Sequence, residues 1–177
     1  MIEPIQSIYG ELNVIPNWYA LSTRARHEKK VHSQLVQKGI TSFLPLQTFH
    51  RKWSDRYKKV EEPLFSCYVF VKIALKDRLQ ALQTDGAVRL VSFNGIPATI
   101  PESQINAIRG IMENHIPIER VDYLTPGQRI EIIQGPLRGS TGILAEIKNR
   151  QRLVIRIDSI MQAISVDIDL RDVRVIE

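Results

Sequence analysis

Two groups of cations stand out among the side chains of this 177-residue chain that are able to do chemistry. Arg24, Arg26, Lys29 and Lys30 fall within seven residues of one another, with His27 between them. Arg51, Lys52, Arg56, Lys58 and Lys59 form the second group, interleaved with Trp53 and Tyr57. Guanidinium groups take phosphate oxygens with two parallel hydrogen bonds, and crowded cations are best tolerated opposite a polyanion. Aromatic rings among them offer stacking faces to unpaired bases. The same residue types also suit a solvated helix surface in the first group and a hairpin with a packed Trp53 in the second. Composition and spacing leave both readings open.

No reaction centre assembles from the remaining groups. His27, His32, His50 and His115 are scattered, and the two nearest, five apart, project from different helix faces, which is poor geometry for a metal pair. Cys67 lies in an apolar run, where a thiol is expected to be an inert core residue. Glu61 and Glu62, or Asp167 and Asp169, have no His or Lys placed for acid–base work. Gly135-Pro136-Leu137-Arg138-Gly139 lacks the Lys-Ser/Thr of a nucleotide-binding loop, and Pro136 removes an amide donor. The expectation is a binding protein without enzyme activity, metal or cofactor.

Composition narrows the class further. A chain with 44% hydrophobic and 24% charged residues folds rather than remaining disordered. One Cys excludes an internal disulfide. Met1 to Gly10 lacks the basic and apolar regions of a signal peptide, and the longest apolar run, Leu64 to Ile73, is broken by Lys72 and too short for a membrane helix. The chain reads as soluble and cytoplasmic. Its net charge of +5 is unevenly placed: residues 18–112 hold 15 cations and 7 anions, whereas residues 122–177 hold 8 of each. Such asymmetry implies that the halves meet different partners.

The elements that would position these residues follow from periodicity. Residues 1–16 have no sustained period and read as a flexible leader. Trp18 to Leu21 is a first strand; Ser22 or Thr23 then caps a helix from about Arg26 to Lys38, with Val31 and Leu35 inward, Val36 beside them, and Gly39 as its stop. Its outward face carries Arg24, Arg26, His27, Lys30 and Gln34. Ile40 to Leu46, Leu64 to Ile73 and Ala87 to Phe93 read as strands. Lys76 to Thr84 reads as a short helix with Leu79 and Leu82 inward, and Pro101 opens a helix with Ile105, Ile108 and Met112 on one stripe. Alternation along the strand before Ile73 puts Tyr68 and Phe70 on one face, opposite Phe65, Val69 and Val71; those aromatics form either a docking patch or a doubly covered core. After a linker at 114–124, five short β-branched runs (129–133, 142–147, 153–157, 163–168 and 173–176) favour a small closed barrel. The predicted fold class is α+β, an antiparallel sheet with helices followed by an all-β domain.

Several of these segments resemble the NusG family of bacterial transcription elongation factors. Asn17-Trp18-Tyr19-Ala20-Leu21 followed by Thr23 to Lys30 is similar to the start of the family's amino-terminal domain. Glu62-Pro63-Leu64-Phe65-Ser66-Cys67-Tyr68-Val69-Phe70-Val71 resembles its "PLFPGYVFV" strand, with Ser66-Cys67 in place of Pro-Gly. Gly95-Ile96-Pro97-Ala98-Thr99-Ile100-Pro101 resembles the segment before that domain's last helix. Pro126 to Leu144 resembles a KOW motif, with Gly127, Gly135, Gly139 and Gly142 at turns or close strand approaches of an SH3-like barrel. The segment Phe49 to Pro63 is more similar to the specialised RfaH and UpxY type than to the housekeeping factor.

The resemblance implies a NusG-like domain at 17–113 and a KOW domain at 125–177. It implies an antitermination and elongation factor, monomeric and not membrane-bound, acting on selected operons such as surface polysaccharide loci; the alternatives are a housekeeping NusG-type factor or a KOW-type ribosomal RNA-binding protein. Docking on the β′ clamp helices of RNA polymerase would fall to Trp18, Tyr19, Phe65, Tyr68 and Phe70. A contact to the β gate loop would lie near Asp77 to Gln80, where the polar loop of the RfaH type is not reproduced. Arg24, Arg26, His27 and Lys30 would face the non-template DNA of the transcription bubble, and Arg51, Lys52 and Arg56 are further nucleic-acid candidates. The KOW domain would recruit a small-subunit ribosomal protein or another factor. A wedge that binds only the closed polymerase clamp depopulates paused states, and about 1.4 kcal/mol of differential binding shifts that ratio tenfold.

Overall fold

A computed structural model describes residues 10–53, 56–121, 127–147 and 150–176. By backbone contact the chain divides into two compact units, Met1–Thr99 and Ile100–Glu177. In the first, residues 10–14 are helical (α1) and Leu12 packs onto the core. This part of the expected leader is therefore docked, while residues 1–9 lie outside the described residues.

The sheet of the first unit is built around β1 (Asn17–Thr23), whose positions Trp18 to Leu21 are all buried. Helix α2 (Glu28–Gln37) presents Val31 and Leu35, one turn apart, to Tyr19, Leu21, Val69 and Val71. Each fully buried aliphatic side chain contributes about 1.5–3 kcal/mol, so this stripe fixes the helix on the sheet; Val36 is exposed. The helix ends as the sequence predicts. Gly39 takes φ +74°, its N–H donates to Val36 O and that of Ile40 to Leu35 O, each at 2.9 Å, the paired bonds of a Schellman stop.

The chain continues through β2 (Thr41–Phe43) into a separate two-stranded ribbon, β3 (Leu46–Trp53) and β4 (Arg56–Pro63). β5 (Tyr68–Ile73) returns to the main sheet and pairs antiparallel with β1, Ala20 opposite Phe70 and Leu21 opposite Val69. A 3-10 turn at Leu75–Asp77 leads into α3 (Arg78–Leu82) and then β6 (Ala87–Leu90), giving the order β2-β5-β1-β6. The two-residue strands β7 (Ser92–Phe93), β8 (Ile96–Pro97) and β9 (Thr99–Ile100) complete the segment.

Three local expectations change. The proposed caps Ser22 and Thr23 both lie within β1; α2 instead starts after His27, which makes no side-chain cap bond, and Arg26 turns the chain with φ +63°. The apolar run at 64–73 is not one strand. Leu64 to Cys67 is a turn with Cys67 at φ +66°, and this left-handed residue breaks the two-residue period. Phe65 and Phe70, expected on opposite faces, consequently meet edge to face at 5.6 Å, and Cys67 is a half-buried turn residue rather than core. In α3 the preceding 3-10 turn buries Leu75 and resets the helical phase, leaving Leu79 60% exposed and Ala81 inside.

The second unit starts with α4 (Glu102–Glu113), for which Pro101 is the N-cap rather than the first helical residue. It buries Ile105, Ala107, Ile108 and Ile111, so Ile105 and Ile108 lie inward as predicted and Ile111 takes the place expected for Met112. By contact α4 groups with this unit. β10 (Glu119–Val121) lies within the segment read as a linker; residues 122–126 lie outside the described residues. β11 (Gln128–Ile132), β12 (Thr141–Ile147), β13 (Arg150–Ile157), β14 (Gln162–Asp167) and β15 (Val173–Val175) match the five expected runs. They form an antiparallel sheet in the order β10-β14-β13-β12-β11-β15. Among the described residues no strand pair closes this path into a ring.

The strand at 119–121 is held by a buried arginine. Arg152 has a side chain 6% exposed and lies 2.9 Å from Glu119 Oε2 and 3.0 Å from Asp167 Oδ1, and it donates to Ser165 Oγ at 3.1 Å. A guanidinium out of water requires such partners, and here they bridge β13 and β14 to β10.

Two backbone positions carry sharp stability expectations. A Cβ on Gly86, already at φ +98°, would sit 2.9 Å from His27 Cβ and 3.1 Å from Val31 Cγ2; Gly86→Ala is expected to lower unfolding free energy by about 2 kcal/mol or more. Cys67→Gly relieves a left-handed Cβ and is expected to raise it by about 1 kcal/mol. Urea unfolding at constant m-value reads both; a neutral Gly86→Ala or a destabilised Cys67→Gly would contradict these backbone assignments.

Candidate nucleic-acid interface

The first cation group is displayed by the connection from β1 to α2. Arg24 N–H donates to Gly86 O at 2.8 Å and Thr23 N–H to Cys67 O at 2.8 Å, fixing the start of the turn. The left-handed Arg26 and the His27 ring, whose Nδ1 lies 3.0 Å from Ala25 O, complete it. Arg24 and Arg26 are exposed and make no ion pair among the described residues. Beneath them Glu28 is 5% exposed, and its Oε1 accepts from Cys67 N–H at 2.7 Å. Its place in the first turn of α2 complements the helix dipole.

Lys30, exposed as expected, and the half-buried Gln34 also meet the segment 80–86. Lys30 Nζ is 2.6 Å from Asp85 Oδ2, Gln34 Oε1 accepts from Asp85 N–H at 3.2 Å, and Lys38 Nζ donates to Gln80 O and Thr84 Oγ1 at 3.1 and 2.9 Å. These residues recur every four positions, the spacing of one helix stripe. That periodicity, present in the sequence, was the available signal for a neighbour. Asp85 and Glu28 carried no such signal, because their partners are distant in the chain. The hydrogen bond and charge of Lys30, with smaller contributions from Arg24 and His27, hold the Asp85 carboxyl below its ordinary pKa.

The second group lies on the β3–β4 ribbon, where the register sets Arg51 opposite Lys58, His50 opposite Lys59 and Trp53 opposite Arg56. The side chains of Arg51, Lys52 and Arg56 lie outside the described residues. Lys29 Nζ, 3.9 Å from Glu61 Oε2 on β4, brings the base of the ribbon beside the start of α2, so the two groups share one region of the first unit.

The sequence model described as "Transcription termination factor nusG" matches residues 16–109, more than half of the chain. The chain belongs to the NusG family. It is 24% identical over 175 residues to the transcription termination/antitermination protein NusG of Lactococcus lactis, covering 90% of this chain and 93% of that protein. It is 26% identical over 148 residues to the protein of the same name from Streptococcus pyogenes serotype M1, covering 76% and 82%. A solved structure of Thermotoga maritima NusG, on domain interaction, aligns with TM-score 0.51 at 20% identity over 92% of this chain and 98% of that one, a likeness of fold. The family is one of transcription termination and antitermination factors, not of enzymes.

Within this NusG-family chain the expected aromatic docking patch is mostly interior. Trp18, Tyr19, Phe65 and Phe70 are at most 3% exposed, and Tyr68 is half-buried. Successive positions Trp18 to Leu21 and Val69 to Val71 are buried, so both faces of β1 and β5 are covered: Tyr19 lies with the α2 core, Phe70 stacks with Phe43 at 6.2 Å, and Lys72 Nζ lies 6.0 Å from the Trp18 ring centre. The KOW glycines divide by role. Gly135 and Gly139 have φ +79° and +82° in the turn before β12. A Cβ on Gly127 or Gly142 would strike Leu144 O or Val154 O at 2.1 or 2.5 Å; these two admit close strand crossing.

His32, on α2 behind the cation turn, bonds Ser42 Oγ through Nδ1 at 2.8 Å, and burial lowers its pKa below the ordinary 6.5. The unfolded chain therefore takes up this proton first on acidification, and stability falls as pH drops through about 6.5. The urea midpoint is expected to decrease from pH 7.5 to 5.5, with a smaller decrease in His32→Gln; equal decreases would remove His32 as the cause.

Proposed function

We propose that this chain is a general NusG-type elongation factor that contacts RNA polymerase and the nucleic acid of the transcription bubble through its first unit. The observation that carries the reading is the exposed Arg24–Arg26 turn within the family-matched segment 16–109. Two guanidinium groups at one turn, beside a ribbon with opposed cations, suit a phosphate backbone. Support for a specialised, operon-selective role rests on the sequence of Phe49 to Pro63 alone, whereas the similar proteins bear the general NusG name; the housekeeping alternative is the better reading. The zero charge balance of residues 122–177 disfavours a KOW-type ribosomal RNA-binding protein.

Polymerase docking through this unit uses the half-buried Tyr68 and the exposed Ser66 at the turn before β5, with the buried aromatics shaping the surface from beneath. Phe70→Ala is unsuited as a docking probe, since truncating a fully buried Phe costs about 3–5 kcal/mol of stability. The second unit, with KOW strands from Gln128 onward, serves as a separate recruitment module for a further protein such as one of the small ribosomal subunit.

The test is in vitro transcription on a template with a defined pause and a strong terminator, with and without the protein. The protein is expected to alter pause duration and terminator readthrough. Arg24→Ala with Arg26→Ala is expected to weaken crosslinking to the non-template strand and to flatten its salt dependence. Unchanged transcription with the wild-type protein would overturn the elongation role; unchanged crosslinking by the folded double variant would overturn the role of the turn.

A further inference from the structure

An anion from the turn after α3 lies beside the first cation group. Asp85 Oδ2 lies 2.6 Å from Lys30 Nζ, with both side chains more than half exposed, and the carboxylate also feels Arg24 and His27. An exposed pair of this kind contributes little to stability. The turn that carries Asp85 is held by other bonds: Asp85 N–H to Gln34 Oε1 at 3.2 Å, Lys38 Nζ to Thr84 Oγ1 at 2.9 Å, and Arg24 N–H to Gly86 O at 2.8 Å. The carboxylate is thus dispensable for placing the segment 80–86. What it does is occupy the ammonium of Lys30, four residues on from Arg26 in the same cation group.

We propose that Asp85 is a built-in competitor for nucleic-acid phosphate at Lys30, so that Lys30 joins the interface only when a phosphate oxygen replaces the Asp85 carboxylate. A carboxylate oxygen and a phosphate oxygen offer the ammonium the same charge-assisted hydrogen bond. The exchange therefore gains little net energy, and Lys30 adds little affinity while Asp85 is present. Specific strength is held down at this position, which suits a protein that must travel along changing sequence rather than stay at one site. This inference rests on the nucleic-acid reading of the Arg24–Arg26 turn.

The test uses the full chain and a fluorescein-labelled 20-nucleotide single-stranded DNA, titrated across a range of salt. Asp85→Asn is expected to bind about fivefold tighter, with the slope of log K against log salt steeper by about 0.7, one additional phosphate contact on a single strand. Lys30→Ala is expected to abolish the gain in the Asp85→Asn background, a coupling that a double-mutant cycle isolates. Asp85→Ser, measured alongside, removes the carboxylate with a different side chain, so a folding defect of one variant does not decide the result. Unchanged affinity and slope in the folded Asp85 variants, with Arg24→Ala/Arg26→Ala still weakening binding, would overturn the competitor and leave the interface standing. A gain that persists in Asp85→Asn/Lys30→Ala would also overturn it, assigning the effect to the general field. Loss of any Arg24/Arg26 effect would remove the interface and the competitor together.

Discussion

The carboxylate of Glu28 is buried at the point where three segments of the first unit meet, and the display of the cation turn depends on it. Its Oε1 accepts the Cys67 N–H at 2.7 Å, while Cys67 O accepts from Thr23 N–H at 2.8 Å. One left-handed residue therefore joins the end of β1, the start of α2 and the entry to β5. A buried carboxylate is tolerable only when hydrogen-bonded and suitably compensated, and here the amide of Cys67 and the first turn of α2 do both. Because these bonds fix Thr23 and Glu28, the four residues between them have little choice but to loop outward. Arg24 and Arg26 are exposed for that backbone reason, before any electrostatic consideration arises.

The same constraint explains why the aromatics around 64–70 do not form an open patch. A strand continuing from Leu64 would alternate Phe65 and Phe70 onto opposite faces of the sheet. The turn that lets Cys67 reach Glu28 cancels that alternation and brings the two rings together at 5.6 Å, where they join Phe43 beneath the surface. At this end Tyr68 is half-buried and Ser66 exposed, and the energy of the buried rings goes into rigidity. Under the proposed elongation role such rigidity matters, since only differential affinity for one state of a partner shifts a population.

Much of this fold was legible in the sequence, and the exceptions share a cause. Elements set by local periodicity or by a single conformational demand were readable: the Val31–Leu35 stripe, the Gly39 stop, and the five β-branched strands of the second unit. So were the KOW glycines, two of which take positive φ in a turn while two lie where a Cβ would strike a neighbouring strand. What was not readable depended on contacts distant in the chain. β10 is short and unremarkable in composition, and it is a strand because Arg152, thirty-three residues on, is buried against Glu119. Leu79 is apolar and on the predicted stripe, but a preceding 3-10 turn places Leu75 inside instead. The turn at Cys67 was hidden because Ser66-Cys67 lacks the Pro-Gly that would have announced it.

The candidate site follows the same division. Its cations were visible as composition, and the charge count of residues 18–112 against 122–177 located the excess in the first half of the chain. Their arrangement was not visible, because the anions that organise them come from elsewhere: Asp85 from the turn after α3, Glu61 from the ribbon, Glu28 from beneath. Each neutralises or anchors a different lysine or amide, and none touches Arg24 or Arg26 at ion-pair distance among the described residues. The net excess of charge is therefore less informative than its distribution after pairing. Lys29 and Lys30 are partly spent within the fold, while the two arginines, whose planar donors match phosphate best, are the ones held outward.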